Sequence, residues 1–296
     1  MQAAVIISTY NSPHLLERVL WGYFGQTYRD FELIVADDGS SNETRRLIER
    51  FSDKAMPVTH LWHPDRGFRK CTILNRAIAA TEAEYLVFTD GDCIPRADFV
   101  SVHLSLREPG RFLSGGTVYL PKELSRRITI DDVVAGRATD LKWLRANGLG
   151  RSLSLKLRLG TQLRLQCIWD YLTPTRATFN GHNSSAWRSD ILAVNGFDER
   201  MGYGGLDREL GERLENAGVR GKQVRHRAVC VHLYHERGYE SAQMWQHNYA
   251  IRRETREQRL TVTAYGIMQL PTIVRLPEPA LNEQSPREER RVRKAA

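Results

Sequence analysis

The sequence predicts an α/β protein built on a mostly parallel sheet. Three observations carry that expectation. Strand-length apolar runs alternate with helix-length amphipathic runs from residue 3 to residue 90. Acidic clusters close two of those runs, at the carboxyl end of a strand, where open α/β sheets bind ligands. The chain of 296 residues is also long enough to bury a full core in one large domain with appendages.

Each element has its own signal. Ala3 to Ser8 is a continuous apolar run and reads as a buried strand, followed by Thr9, Tyr10 and Asn11. Ser12 and Pro13 suit an N-cap and first helical residue, and Leu15, Leu16, Val19, Leu20, Tyr23 and Phe24 recur at helical spacing. Phe31 to Ala36 predicts a second strand that ends in Asp37-Asp38-Gly39-Ser40-Ser41. A helix over about 42–51, a strand over 58–62, a helix over 70–80 and a strand over 85–89 follow. The last strand delivers Asp90-Gly91-Asp92. Two carboxylates one residue apart cannot both be buried without a partner, so they must meet solvent, cations or a divalent metal. An isolated Asp-x-Asp is more often a solvated turn, and the neighbouring motifs decide this one.

Further along, Leu206 to Ala217 reads as a helix behind the glycine-rich stretch Gly202-Tyr203-Gly204-Gly205. Asp207 then falls in its first turn, where the helix dipole favours a carboxylate. His232 and His235 close the apolar stretch Ala228 to Val231. Asn180 to Ser185 precedes a helix over about 189–194.

In series these motifs resemble the inverting family 2 glycosyltransferases with the GT-A fold, over roughly Ala4 to Tyr239. They are Ile6 to Asn11, Val35 to Ser40, Asn75 within Leu74 to Ile78, Asp90 to Asp92, Gly196 to Glu199, Gly202 to Leu214 and Val231 to His235. The last three look most like the galactosyl- and N-acetylhexosaminyl-transferase branch, chondroitin-type polymerases included. The resemblance implies a Rossmann-like, mostly parallel sheet flanked by helices, with a helical basic insertion and a C-terminal extension. It divides the chain into a GT-A domain over 1–240 and a helical extension with a basic tail over 241–296. Within the first, 1–120 is the nucleotide-sugar half, 121–175 the insertion and 176–240 the acceptor half.

The activity so implied is metal-dependent, inverting transfer of a hexose or N-acetylhexosamine from a UDP-sugar to a glycan or lipid-linked acceptor, in surface polysaccharide or lipopolysaccharide synthesis. Asp207 would be the catalytic base. Asp92 would ligate Mn²⁺ or Mg²⁺, with Asp90 on the ribose or a metal-bound water, and His232 or His235 as a further ligand. Asp38 or its neighbour Asp37 would meet the uracil or ribose. Thr9, Tyr10, Asn11, Arg69, Asn75 and Gly91 complete the nucleotide-sugar set. The loop before the helix at residue 70 also offers Arg66 and Lys70 to phosphate. Gly181, His182, Asn183, Tyr203, Gly204, Gly205 and Leu206 would meet the donor sugar or acceptor. Relatives often carry an acidic residue where this chain has Leu206 and a tryptophan where it has Tyr203, which leaves the acceptor open.

Composition narrows the alternatives. Cys71, Cys93, Cys167 and Cys230 form no paired motif and read as buried thiols of a cytosolic protein. No secretory or membrane-spanning run is seen, so a cytoplasmic location is expected. The net charge of +8 is uneven: residues 141–169 hold no acidic side chain, and basic residues there alternate with leucines. That segment is read as helical, packed on the domain by its leucines or resting on the face of an anionic membrane. The tail from Pro286 is of mixed charge and reads as disordered. Basic residues are not interleaved with aromatics in a nucleic-acid module, so no nucleic-acid partner is expected. A nucleotidyltransferase would carry a glycine-rich phosphate loop near the amino terminus, and Ser8 to Ser12 is not one. A nucleotide-sugar-binding scaffold without catalysis is the remaining rival; it has no need for both a metal site and a base.

Overall fold

The structure, a computed structural model, describes residues 2–52, 56, 58–160, 163–173, 175–236 and 240–269. Strands β1 (Ala3–Thr9), β2 (Phe31–Asp37), β3 (Val58–Trp62) and β4 (Tyr85–Asp90) pair in parallel. They alternate with helices α1 (Pro13–Phe24), α2 (Asn42–Ser52) and α3 (Lys70–Ala80), at the expected positions. Ser12 occupies the N-cap of α1 but its hydroxyl makes no capping bond, so the fixed φ of Pro13 starts the helix. Every residue of β1 is buried because both faces of the sheet are covered. Ala3, Val5 and Ile7 pack with Leu16, Val19 and Leu20 of α1, while Ala4 and Ile6 pack with Ile73, Leu74 and Ala77 of α3. Each fully buried aliphatic side chain contributes about 1.5–3 kcal/mol.

The remaining strands are β5 (Cys93–Pro95), β6 (Arg111–Ser114), β7 (Gly116–Tyr119), β8 (Ser184–Trp187), β9 (Arg220–Gln223) and β10 (Val229–His232). The seven-stranded sheet runs β3-β2-β1-β4-β8-β6-β9, and β8 is antiparallel to both its neighbours. A three-stranded sheet runs β5-β10-β7. Strand order reverses between β1 and β4, so a crevice opens beyond their carboxyl ends. Thr9 and Asp90 end those two strands.

The other helices are α4 (Phe99–Leu106), α5 (Lys122–Arg127), α6 (Ile130–Val134), α7 (Leu141–Ala146), α8 (Leu153–Leu159), α9 (Leu163–Leu172), α10 (Arg188–Ala193), α11 (Leu206–Asn216) and α12 (Ala242–Glu257). The basic segment is thus helical, in three short pieces. Leu141, Leu144, Leu149 and Leu157 are buried, whereas Leu153 and Leu165 are exposed. In α9 the polar side faces inward: Asp170 accepts from the His226 amide and the Arg227 guanidinium, at 2.9 and 2.6 Å. Leu165, Ile168, Tyr171 and Leu172 therefore face outward. Cys167 goes with them, which corrects the expectation of four buried thiols; Cys71, Cys93 and Cys230 are buried. Among the described residues no helix is long and apolar enough to cross a membrane. The tail from Pro286, expected to be disordered, lies outside the described residues.

Helix α11 is fixed from beneath by an ion pair. Arg213 and Glu209, each 1% exposed, form two bonds at 2.8 and 2.7 Å, and Arg213 also donates to the carbonyl of Gly196. Thr255 of α12 donates to Glu209, so both helices hold the same buried network. With every charge paired, burial is tolerated.

Candidate active site

A cleft of about 650 Å³ lies beyond the carboxyl ends of β1 and β4. Its floor is a hydrogen-bonded cross-link between those strands. Ser8 donates to Asp90 Oδ1 at 2.6 Å, and the Gly91 amide donates to the Ser8 carbonyl at 2.8 Å. Lys70, at the start of α3, reaches the same Asp90 oxygen at 2.6 Å. Burial would depress the Lys70 ammonium, but Asp90, Asp207 and Asp92 outweigh it and hold it above its usual value. Burial would likewise raise the Asp90 carboxyl; Lys70 prevails and keeps it well below the usual range.

Asp92 sits two residues on, against β10. Its carboxylate lies 2.9 Å from His235 Nε2 and 3.6 Å from His232 Nε2, and ligand atoms of all three residues lie within 4.8 Å of one another. The outer nitrogens settle the tautomers. His232 Nδ1 is 2.7 Å from the Leu233 carbonyl and His235 Nδ1 is 3.0 Å from the Glu236 carbonyl. A carbonyl can only accept, so each Nδ1 carries hydrogen and, in the neutral rings, each Nε2 offers a lone pair. Two lone pairs and a carboxylate converging on one point repel unless a proton or a metal cation lies between them. One carboxylate oxygen and two imidazoles suit a divalent ion such as Mn²⁺, so the residues present fit the group.

On the facing wall, Gly204 and Gly205 adopt φ +106 and +79 and lead into α11. Only glycine holds such angles without strain. Asp207, in the first turn, accepts the Gly181 amide at Oδ2, 2.8 Å away. His182 follows beside it. Burial holds its imidazole below the ordinary value, against the pull of Asp90 and Asp207, so the ring stays neutral near pH 7.

Residues 4–132 match the family described as glycosyl transferase family 2. Over those residues the chain is similar to a family 2 glycosyltransferase domain. Behind that segment, residues 168–236 match the N-terminal domain of galactosyltransferase. Among curated proteins, the chain is 27% identical over 252 residues to a validoxylamine A glucosyltransferase from Streptomyces hygroscopicus subsp. jinggangensis, covering 80% of this chain and 57% of that one. The chain therefore spans little more than half the length of that relative. Among solved structures, it is similar to the mannosyltransferase PcManGT from Pyrobaculum calidifontis in complex with GDP-Man and Mn²⁺ (22% identity, TM-score 0.56, 86% of this chain and 61% of that one). It is also similar to S. aureus TarS in complex with UDP-GlcNAc (16% identity, TM-score 0.56, 85% and 65%). The fold is GT-A, as the motifs implied.

Most of the expected site residues line this cleft: Thr9, Tyr10, Asn11, Asp38, Asp90, Gly91, Asp92, Gly181, His182, Tyr203, Gly204, Gly205, Leu206, Asp207, His232 and His235. Four do not, and each is held by the frame. Asp37 is fully buried and takes the Ser40 amide and His60. Asn75 is fully buried and binds Phe197 through both its amide atoms and Glu199 through its NH₂. The Arg69 amide donates to Asp38 at 3.0 Å; of the basic loop residues it is Lys70 that reaches the cleft. Asn183, also fully buried, bridges the Gly116 and Ala228 carbonyls and His103. Asp90, expected with the metal, stands outside the Asp92–His232–His235 cluster because Ser8 and Lys70 engage it. Sequence reasoning missed Tyr119 and Trp245, which also line the cleft. Both are lone aromatics beyond any motif, and only folding brings them there.

The burial of His103 gives a pH prediction. Burial lowers the His103 pKa to about 4, below its ordinary value of 6.5. The unfolded chain then binds the proton more readily, so the stability tied to neutral His103 is complete above pH 6.5 and drains away as pH falls toward about 4. Urea unfolding of the wild type and of His103→Gln at pH 7.5 and pH 5 should show the larger loss in the wild type. Equal losses would remove His103 from the acid sensitivity.

Proposed function

We propose that the protein is an inverting, metal-dependent glycosyltransferase that moves a hexose or N-acetylhexosamine from a UDP-sugar to a glycan or lipid-linked acceptor. The observation that carries this reading is the meeting, in one cleft, of the Asp92–His232–His235 cluster with the carboxylate of Asp207. A divalent ion held by those three residues would neutralise the charge that develops on the departing diphosphate.

The chain's own residues do the rest. Asp207 takes the proton of the acceptor hydroxyl, and the Gly181 amide on Oδ2 fixes the carboxylate's orientation. Lys70 adds positive charge beside Asp90, where the donor's phosphates pass. Thr9 Oγ1 is buried with no hydrogen-bond partner, and a nucleotide sugar or ribose hydroxyl in the cleft would satisfy it. Asp38, held by His63 at 2.7 Å, faces the nucleoside end. Among the described residues the other carboxylates of the cleft, Asp38, Asp90, Asp92 and Glu236, are engaged by His63, Lys70, His235 and Lys122, which leaves Asp207 as the base for one displacement with inverted configuration. The basic segment and the outward apolar face of α9 support peripheral contact with an anionic membrane, on the cytoplasmic side, as part of the same reading. The division into a 1–240 domain and a 241–296 extension stands as a proposal with it.

A thermal-shift panel tests the donor. UDP-sugars with Mn²⁺ should raise Tm, since a ligand at about 100 Kd stabilises by ~2.7 kcal/mol, and without a divalent ion the shift should largely vanish. A larger shift with GDP- or dTDP-sugars would reassign the nucleotide.

A further inference from the structure

Helix α12 lies beyond both matched family segments, which end at residues 132 and 236, yet it builds one wall of the cleft. Its Asn248 amide donates to the carbonyls of Gly202, Tyr203 and Gly204 at 2.9, 2.9 and 2.8 Å, and its oxygen accepts the Gly202 amide at 3.2 Å. One side chain thus clamps the turn that leads to Asp207. One turn of helix earlier, the Trp245 indole rests on Gly204, where a Cβ would come within 2.8 Å of the ring. Gly204 is needed there for its φ and for the indole. Trp245 also meets the Tyr203 ring edge-on, with centroids 5.9 Å apart at 90°, and both rings line the cleft beside the base.

We propose that Trp245, supplied by α12, is an acceptor-specificity residue that selects a sugar ring as the acceptor. The inference rests on the transferase reading above and deepens it. The hydroxyl that loses its proton must lie within hydrogen-bond reach of Asp207, so the body of the acceptor covers the neighbouring wall. That wall is aromatic. Asp92, His232 and His235 line the same cleft and supply its polar side, on which the Tyr119 ring packs against His232. A pyranose is the acceptor class that presents a flat C–H face to an indole while keeping hydroxyls for the polar side. Polyol phosphates and other open-chain acceptors lack such a face.

The experiment compares wild type, Trp245→Ala and Trp245→Phe with Mn²⁺ and a set of UDP-hexoses and UDP-N-acetylhexosamines. Acceptor probes are the methyl β-glycosides of glucose, galactose, N-acetylglucosamine and N-acetylgalactosamine, with glycerol 3-phosphate as the open-chain control. UDP release is followed with and without acceptor. Expected is stimulation by at least one methyl glycoside, a rise of about tenfold in that acceptor's KM for Trp245→Ala, and recovery of most of the loss in Trp245→Phe. The donor's KM should move far less. An unchanged acceptor KM, equal rises in donor and acceptor KM, or stimulation by glycerol 3-phosphate alone would overturn the assignment. Wild type that releases UDP from donors but answers to no glycoside would also overturn it and leave the transferase reading standing. Failure to release UDP from any donor would defeat the transferase reading itself, and this one with it.

Discussion

Asp207→Asn should lower the rate of transfer by about 10²–10⁴-fold, the usual worth of a positioned general base, while nucleotide and metal binding persist. The substitution is close to isosteric. If the new amide oxygen takes the Gly181 N–H, the turn keeps its shape, and the group that accepts the acceptor's proton is gone. The separation from the metal cluster gives the test its force: Asp92, His232 and His235 belong to β5, β10 and the turns beside them, whereas Asp207 belongs to α11. Nucleotide affinity is measured by titration with UDP and Mn²⁺, and the rate by UDP release in the presence of acceptor. A variant that keeps its rate removes Asp207 from the base role. A variant that loses nucleotide affinity reassigns the residue to donor binding.

How much of this was legible beforehand follows from what local sequence encodes. The β1–α1–β2–α2–β3–α3–β4 order was readable because parallel strands covered on both faces show as unbroken apolar runs, from Ala3 to Ile7 above all. Strands β6, β7, β8 and β9 are four residues each and flank no strong pattern. In β8, Ser184 and Ser185 are buried because Ser185 bonds Tyr85 and His103, a tertiary arrangement that composition cannot announce. The site shows the same divide. Residues set at strand ends and helix starts, such as Asp38, Asp92 and Asp207, were found by motif and position. Asn75, Asp37 and Asn183 have the same polar character but are consumed by the frame. Whether a buried amide serves a ligand or a backbone carbonyl depends on partners more than a hundred residues distant, as Asn75 and Phe197 are. Trp245 shows the converse, a cleft residue without a motif.

The second large effect concerns the histidines, between which the sequence could not choose. The structure brings both to Asp92, so His232→Ala and His235→Ala should each weaken Mn²⁺ binding, and Asp92→Ala should abolish it together with metal-dependent UDP affinity. Loss of even an outer partner of a metal ligand costs about 10–100-fold in affinity, and loss of a ligand should cost at least that. The prediction departs from a choice based on proximity alone. His235 Nε2 is nearer the carboxylate, 2.9 against 3.6 Å, but His232 is the more buried, with its side chain 9% exposed against 21%. A buried Nε2 lone pair facing a carboxylate has no stable partner except a proton or a cation, so the strain relieved by a bound ion is at least as great at His232. The Nδ1 bonds to the Leu233 and Glu236 carbonyls hold the two rings nearly parallel, 20° apart, so the geometry exists before the ion arrives. Calorimetric titration of Mn²⁺ into the three variants, with Asp207→Asn as the control that retains the site, measures this directly. If His232→Ala binds Mn²⁺ as tightly as the wild type, the ion is held by Asp92 and His235, and His232 serves only to pack beneath Tyr119, whose ring lies 4.9 Å from its own.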